Sequence, residues 1–180
     1  MKFKILLLLL LVTSGIYAQN DSIQKIRYEV INSLYKNRNV EKFGKVELNE
    51  NFNPFLGLGS LISQPNFIDK LWGDCADLRK KKGYTYSEVI KQNEISKMSN
   101  QISWFHTYKK IDSRKISNKI MLVKDIQNNK PTITLPLIYN NKAIVYFTNK
   151  NNYEVLLVLI KEKEEWVERC RKVLYQRTDD

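Results

Sequence analysis

The sequence predicts an α+β domain in which N-terminal helices pack on one face of a C-terminal antiparallel β-meander of about four strands. Apolar residues recur at helical spacing in the first part of the chain and alternate as in strands from about residue 118. Short turns rich in Asn separate the later apolar runs, as in consecutive hairpins. Helices followed by strands, rather than interleaved with them, indicate the α+β class.

Three helices are expected before the strands. The first covers residues 21–36 and carries one continuous apolar face. The second covers residues 65–81 and has an apolar stripe that includes Cys75. The third follows a capping box, in which Thr85 and Glu88 satisfy free backbone donors reciprocally. The polar pair Gln92-Asn93 interrupts the apolar stripe of this third helix.

The register of the meander follows from its turns. A two-residue turn at Asn140-Asn141 fixes the first hairpin. If the next turns close with four residues each, one face of the sheet is shared by Leu137, Ile144, Val155, Leu157, Leu159, Trp166 and Cys170. Pro136 lacks a backbone donor, which favours an edge position or a bulge. The expected cross-strand pairs are Tyr139 with Lys142, Leu137 with Ile144, and Leu135 with Tyr146.

The first eighteen residues have the pattern of an export signal. Two lysines precede the apolar run Ile5–Val12, and Tyr17-Ala18 offers a cleavage site. The run is far shorter than the ~20 residues that span a bilayer as a helix. We therefore expect a signal peptide at 1–18, a single domain at 19–180 without a transmembrane segment, and a periplasmic or extracellular location.

Three stretches of the C-terminal third form a recognisable series: Leu135-Pro136-Leu137-Ile138, Lys142-Ala143-Ile144-Val145-Tyr146-Phe147 and Glu164-Glu165-Trp166-Val167. Through them the C-terminal third resembles a group of small uncharacterised exported α+β proteins of Bacteroidota. The Tyr17-Ala18-Gln19 junction is similar to signal cleavage sites in that group. The resemblance implies a fold and an exported location rather than a reaction.

The basic charge of the chain is compatible with an anionic partner. The formal net charge is +11, and it falls to +9 when Lys2 and Lys4 leave with the signal. An anionic polymer is one class of partner that such a charge attracts. This hypothesis requires five basic residues to gather on one face: Arg79, Lys80, Lys81, Lys109 and Lys110.

His106 is the only histidine, and this restricts the chemistry. A zinc site with two or more histidines is excluded, and a histidine-dependent hydrolase would have to use His106. Asp74 and Asp77 share a helical face, where surface pairing is the commoner role of such acids. No residues with catalytic spacing and no cofactor motif emerge from the sequence.

An aromatic and cationic segment gives the one candidate binding patch: Trp104, His106, Tyr108, Lys109 and Lys110. Its aromatic residues can line a pocket or stack on sugars or bases. The alternative is that they anchor the junction between helices and sheet, because aromatic residues supply much of the bulk of a core.

Cys75 and Cys170 are the two cysteines, and both fall on apolar faces. They form a candidate disulfide, with buried free thiols as the alternative. Neither lies in a C-x-x-C motif, so a bridge would be structural. The sequence as a whole predicts a non-enzymatic binding or interaction module whose partner is another envelope protein or an anionic polymer. The alternative is a small hydrolase centred on His106.

Overall fold

The computed structural model describes residues 21–37, 39–54, 57–62, 64, 89–124, 130–148 and 153–175. The predicted signal peptide, the predicted second helix with Cys75, and the predicted capping box at Thr85 lie outside these residues. In chain order the elements are the helix of residues 21–33 (α1), α2 (Val40–Phe43), β1 (Val46–Asn49), α3 (Gly57–Ile62), α4 (Gln92–Ser99), the 3₁₀ helices Ile102–His106 and Ser113–Lys115, β2 (Ile120–Val123), β3 (Thr132–Ile133), β4 (Leu137–Tyr139), β5 (Lys142–Thr148), β6 (Glu154–Glu162) and β7 (Glu165–Tyr175).

The predicted α+β class is confirmed. The main sheet is antiparallel, with strand order β3-β5-β6-β7, and β4 also pairs with β5. Strands β3 and β4 use different halves of β5, so they behave as one interrupted strand and the sheet has four strand positions. This agrees with the expected meander of about four strands.

Helix α1 confirms the first predicted helix, and residues 34–36 continue it as a tighter turn. Backbone N–H groups of Leu34, Tyr35 and Lys36 donate to carbonyls three residues earlier, as at many helix ends. The third predicted helix is interrupted at residues 90–91 and resumes as α4. The polar Gln92-Asn93 pair therefore forms the first turn of α4, where exposure is normal, rather than a gap in its apolar stripe.

Strands β1 and β2 form a separate parallel pair, with Val46 opposite Ile120. The run at residues 120–123 is a strand, as expected, but it does not belong to the meander. The two sheets meet through Asn49, whose backbone N–H donates to the Pro131 carbonyl at 2.8 Å. Because β1 precedes β2 by many residues, no local pattern indicates this pairing.

The predicted register holds at the first turn and fails beyond Pro136. Tyr139 lies opposite Lys142, and Leu137 lies opposite Ile144, both as predicted. The predicted pairing of Leu135 with Tyr146 is wrong, because Thr134 takes that place: its N–H donates to the Tyr146 carbonyl at 2.9 Å. The strand is broken over residues 134–136, where Pro136 cannot donate to the ladder.

The predicted face of β6, the third strand of the meander, is wrong. The β5–β6 connection contains five residues rather than four, since Thr148 pairs with Glu154. One extra residue moves every side chain of a strand to the other face. Val155, Leu157 and Leu159 therefore lie with Phe147, Val145 and Ala143, and not with Ile144 and Tyr146. Both faces of β5 and β6 are buried over most of their length.

Strand β7 carries one extra residue, Arg169, between Trp166 and Cys170, and it puts their side chains on different faces of the sheet. Trp166 pairs with Lys161, and Cys170 pairs with Val158, with a register shift between them. The two side chains therefore belong to opposite faces, although one common face was predicted. Such a bulge also bends the strand and discourages pairing at the sheet edge.

Arg27 joins α1 to the broken strand. The side chain is fully buried, its Nε donates to the Pro136 carbonyl at 3.1 Å, and its Nη2 donates to Gln101 Oε1 at 3.1 Å. The Gln101 side chain also satisfies the backbone of Ile138 in β4: its Oε1 accepts from the Ile138 N–H, and its Nε2 donates to the Ile138 carbonyl. The guanidinium also lies 5.8 Å from the centre of the Tyr108 ring. Burial lowers the pKa of Arg27 to about 10, so it stays charged at neutral pH.

We expect Arg27→Ala to lower the free energy of unfolding by about 3 kcal/mol, because it leaves buried polar groups unsatisfied and opens a void. Lys25→Ala is the matched control, since Lys25 is exposed on the same helix and should change stability by about 0.5 kcal/mol or less. Urea unfolding measures both. Equal effects of the two substitutions would contradict the role given to Arg27.

The β6–β7 turn predicts a stabilising substitution. Lys163 and Glu164 have φ values of 47° and 67°, a conformation that non-glycine residues disfavour by about 1–2 kcal/mol each. A two-residue turn with positive φ at both positions prefers Asn-Gly. Glu164→Gly should therefore raise the free energy of unfolding by about 1 kcal/mol. Glu165→Gly, one residue later in the strand, should lower the free energy of unfolding by about 0.5–1 kcal/mol. Thermal unfolding of both variants tests whether Glu164 holds a conformation that favours glycine.

The disulfide between Cys75 and Cys170 stays a prediction. Cys170 is buried, at 2% exposure, on the face of Val158. A bridge closing a loop of ~100 residues would add on the order of 4–5 kcal/mol, with engineered cases often lower. Thiol counting on unfolded, unreduced protein should find no free thiol, and two free thiols would contradict the bridge.

Candidate functional site

The predicted patch around His106 is divided by the structure. Tyr108 is half-buried beneath Arg27, so its ring has a structural contact. Lys109 and Lys110 are exposed, and Lys110 pairs with Glu50 at 3.1 Å. Trp104 and His106 belong to the 3₁₀ helix Ile102–His106, and their side chains lie outside the described part of the structure.

Two other predictions rest on undescribed residues. Arg79, Lys80 and Lys81, needed for binding an anionic polymer, lie there, and so do Asp74 and Asp77. In the part of the chain that the structure describes, no group of three or more His, Cys, Asp or Glu side chains could hold a metal ion. No described helix is both long and apolar enough to cross a membrane.

A cleft of about 400 Å³ lies beside the end of α1 and is here called the polar cleft. Its walls come from α1, from the segment before β2, and from the β6–β7 turn. The lining residues are Glu29, Asn32, Ser33, Lys36, Ser117, Lys119, Glu164, Glu165 and Trp166.

Asn32 fixes one wall of the polar cleft. Its Nδ2 donates to the Lys115 carbonyl at 3.0 Å, and its Oδ1 accepts from the Ser117 N–H at 2.8 Å. Lys119 Nζ donates to the carbonyl of Lys36 at the end of α1, where cations favour the helix dipole. These bonds hold the segment before β2 against the helix.

The charged side chains around the polar cleft form ion pairs of opposite sign. Lys36 pairs with Glu165 across the cleft, and both side chains are more than half exposed, at 58% and 62%. Lys161 lies between Glu29 at 3.2 Å and Glu164 at 3.3 Å. Hydrogen bonding to Glu29, and to a lesser degree Glu164, raises the pKa of Lys161. The rim therefore presents both signs of charge rather than one basic surface.

Trp166 contributes an indole to the same cleft. Its side chain is 8% exposed, and its Nε1 has no hydrogen-bond partner among the described residues. A buried indole N–H normally finds an acceptor. The polar cleft thus combines an indole with amide, hydroxyl and ionic groups, a set that suits recognition more than acid–base catalysis.

A second cavity of about 290 Å³ lies on the other side of the end of α1 and is here called the aromatic pocket. At its rim Arg171 donates to Glu168 from Nε at 2.8 Å and from the guanidinium Nη2 at 2.9 Å. Hydrogen bonds to Glu168 and to Tyr153 raise the pKa of Arg171. The lining residues are Leu34, Tyr35, Phe147, Tyr153, Val155, Leu157, Glu168 and Arg171.

Tyr35 is the unusual member of the aromatic pocket. Its hydroxyl is buried and has no hydrogen-bond partner within the described ranges. Burial raises its pKa, so the hydroxyl remains protonated and acts as a donor. Such an unmade hydrogen bond is uncommon in native proteins and calls for an explanation.

Comparison with family models, with curated protein sequences and with solved structures finds no match to this chain.

Neither cavity was predicted from the sequence. Tyr35 belongs to the apolar face of the first helix and gives no sign that its hydroxyl is unsatisfied. Trp166 was assigned to the sheet core, where it is buried, but the sequence did not indicate that its position directly after the β6–β7 turn also places it at the polar cleft. The exposed Lys36 and Glu165 are 129 residues apart, so sequence spacing gives no signal of their pairing.

Proposed function

We propose that this is an exported, non-enzymatic binding protein and that the polar cleft receives its partner. Export is supported by the charged and apolar pattern of residues 1–18. Binding is supported by one observation above all: the Lys36–Glu165 pair at the cleft rim has both side chains largely in solvent. Exposed pairs contribute little to stability, so these groups can be re-paired at small energetic cost.

The chemistry of the rim favours another envelope protein as the partner. Acidic side chains alternate with basic ones around the cleft, and a uniformly anionic polymer would meet Glu29, Glu164 and Glu165 as well as the lysines. A protein surface with charges of both signs can match this pattern. Complementary charges of this kind set specificity and association rate more than affinity.

We expect Lys36→Glu to weaken partner capture about tenfold, because it places like charges at the rim and repels the complementary surface. The measurement is cross-linking in the protein's own cell envelope and medium, followed by quantitative mass spectrometry. Lys45→Glu is the matched control, since Lys45 is exposed elsewhere and the net charge change is the same.

The double exchange Lys36→Glu with Glu165→Lys separates recognition from folding. It restores an internal ion pair, so stability should return to that of the parent protein, while capture stays weak because the rim charges are inverted. Identical partner sets for Lys36→Glu and Lys45→Glu would contradict the proposal. Recovery of the protein only in the cytoplasm, with residues 1–18 retained, would contradict export.

A further inference from the structure

We infer that the aromatic pocket is a second binding site and that its ligand is a free α-amino acid with a large apolar side chain, such as leucine or phenylalanine. The apolar walls receive the side chain, and the charged pair at the rim receives the ammonium and carboxylate groups. The site shares no lining residue with the polar cleft. The inference therefore does not depend on the proposed function, and each can fail alone.

The size and walls of the pocket define the body of the ligand. About 290 Å³ holds roughly ten non-hydrogen atoms, at the ~30 Å³ that one water occupies in the liquid. Phe147 and Tyr153 supply aromatic walls, and Leu34, Val155 and Leu157 supply aliphatic ones. A ligand pocket of this kind is mostly apolar, with a few polar groups that fix orientation. One branched aliphatic group or one aromatic ring therefore fits both the volume and the surface.

A bulge in β7 places the two charges of the rim on the same face of the sheet. Glu168 lies opposite Leu159, and Arg171 lies opposite Leu157. Leu157 and Leu159 are two residues apart in β6, so their side chains share a face. In a regular strand, residues three positions apart point to opposite faces. The extra residue Arg169 therefore brings Glu168 and Arg171 together, and bulges are common next to active sites, where they re-aim side chains.

The rim suits a ligand that carries both signs of charge. Arg171 donates to Glu168 at 2.8 and 2.9 Å, and the two side chains are 53% and 34% exposed. An exposed pair contributes little to stability, so both groups can turn to a ligand at small energetic cost. A ligand with a carboxylate alone would be repelled by Glu168, and one with an ammonium alone would be repelled by Arg171.

A free α-amino acid avoids both repulsions. Its ammonium and carboxylate are attached to the same carbon, so the ammonium can face Glu168 while the carboxylate faces Arg171. In a peptide these two charges lie at opposite ends of the chain. The adjacent pair at the mouth of an apolar pocket therefore favours the free amino acid.

Four compounds that share one phenyl ring separate these contributions. Relative to L-phenylalanine, 3-phenylpropionate lacks the ammonium, phenethylamine lacks the carboxylate, and ethylbenzene lacks both. We expect L-phenylalanine to shift the methyl NMR signals of Val155 and Leu157 in the mature chain. Each singly charged analogue should bind about fivefold more weakly, which corresponds to ~1 kcal/mol for one exposed ion pair. Ethylbenzene should also bind more weakly than L-phenylalanine.

Neutralising one rim charge should change which analogue binds well. Glu168→Gln removes the repulsion of a carboxylate, so 3-phenylpropionate should bind this variant as well as L-phenylalanine does. Arg171→Gln should do the same for phenethylamine. Lys172→Gln is the matched control for Arg171→Gln, because it removes the same charge from the opposite face of β7, where Lys172 lies opposite Leu156. This control should leave the order of the four compounds unchanged.

Three results would overturn the inference. The first is the absence of shifts at Val155 and Leu157 with L-phenylalanine at its solubility limit. The second is binding of ethylbenzene as tightly as L-phenylalanine, which would make the pocket a site for uncharged apolar molecules. Both concern the parent protein, so they hold whether or not the variants fold. The third is an advantage of L-phenylalanine over 3-phenylpropionate that survives in Glu168→Gln. Loss of capture by the Lys36→Glu variant would bear on the polar cleft alone.

Discussion

The buried charge of Arg27 is the constraint on which the arrangement of helix and sheet depends. A guanidinium without solvent requires fixed acceptors, and the structure provides them from two distant segments: the Pro136 carbonyl and the Gln101 side chain. Pro136 is available because the strand is broken there, and Gln101 in turn pairs with Ile138 where a neighbouring strand would otherwise do so. One side chain thus sets the position of α1 against the sheet.

Helix α1 is held by two different kinds of contact. Arg27, in the middle of the helix, is locked in the core, whereas Glu29 in the second half and Lys36 just beyond it reach Lys161 and Glu165 through pairs that solvent can enter. Both cavities lie beside this second half. Buried contacts fix the geometry, and exposed ones leave groups that can change partners without loss of the fold.

The sequence predicts what local chemistry determines. The Asn140-Asn141 turn set the first hairpin register correctly. The missing donor of Pro136 favoured an edge position or a bulge, and the structure breaks the strand there. The face of β6 was wrong because it depended on one residue in the length of the connection after Thr148. The contact of Arg27 with Pro136 spans 109 positions, and a basic residue on an otherwise apolar helix face does not indicate which carbonyl it will meet.

The same distinction explains why neither cavity was foreseen. The sequence gives Tyr35 the features of an ordinary core residue, and only the assembled structure shows that its hydroxyl lacks an acceptor. Buried polar groups are almost always hydrogen-bonded, so a buried donor without an acceptor is informative. Natural proteins tend to break local rules at a few positions only. The hydroxyl of Tyr35 is such a position, because the packing of α1 against the sheet buries it without supplying an acceptor.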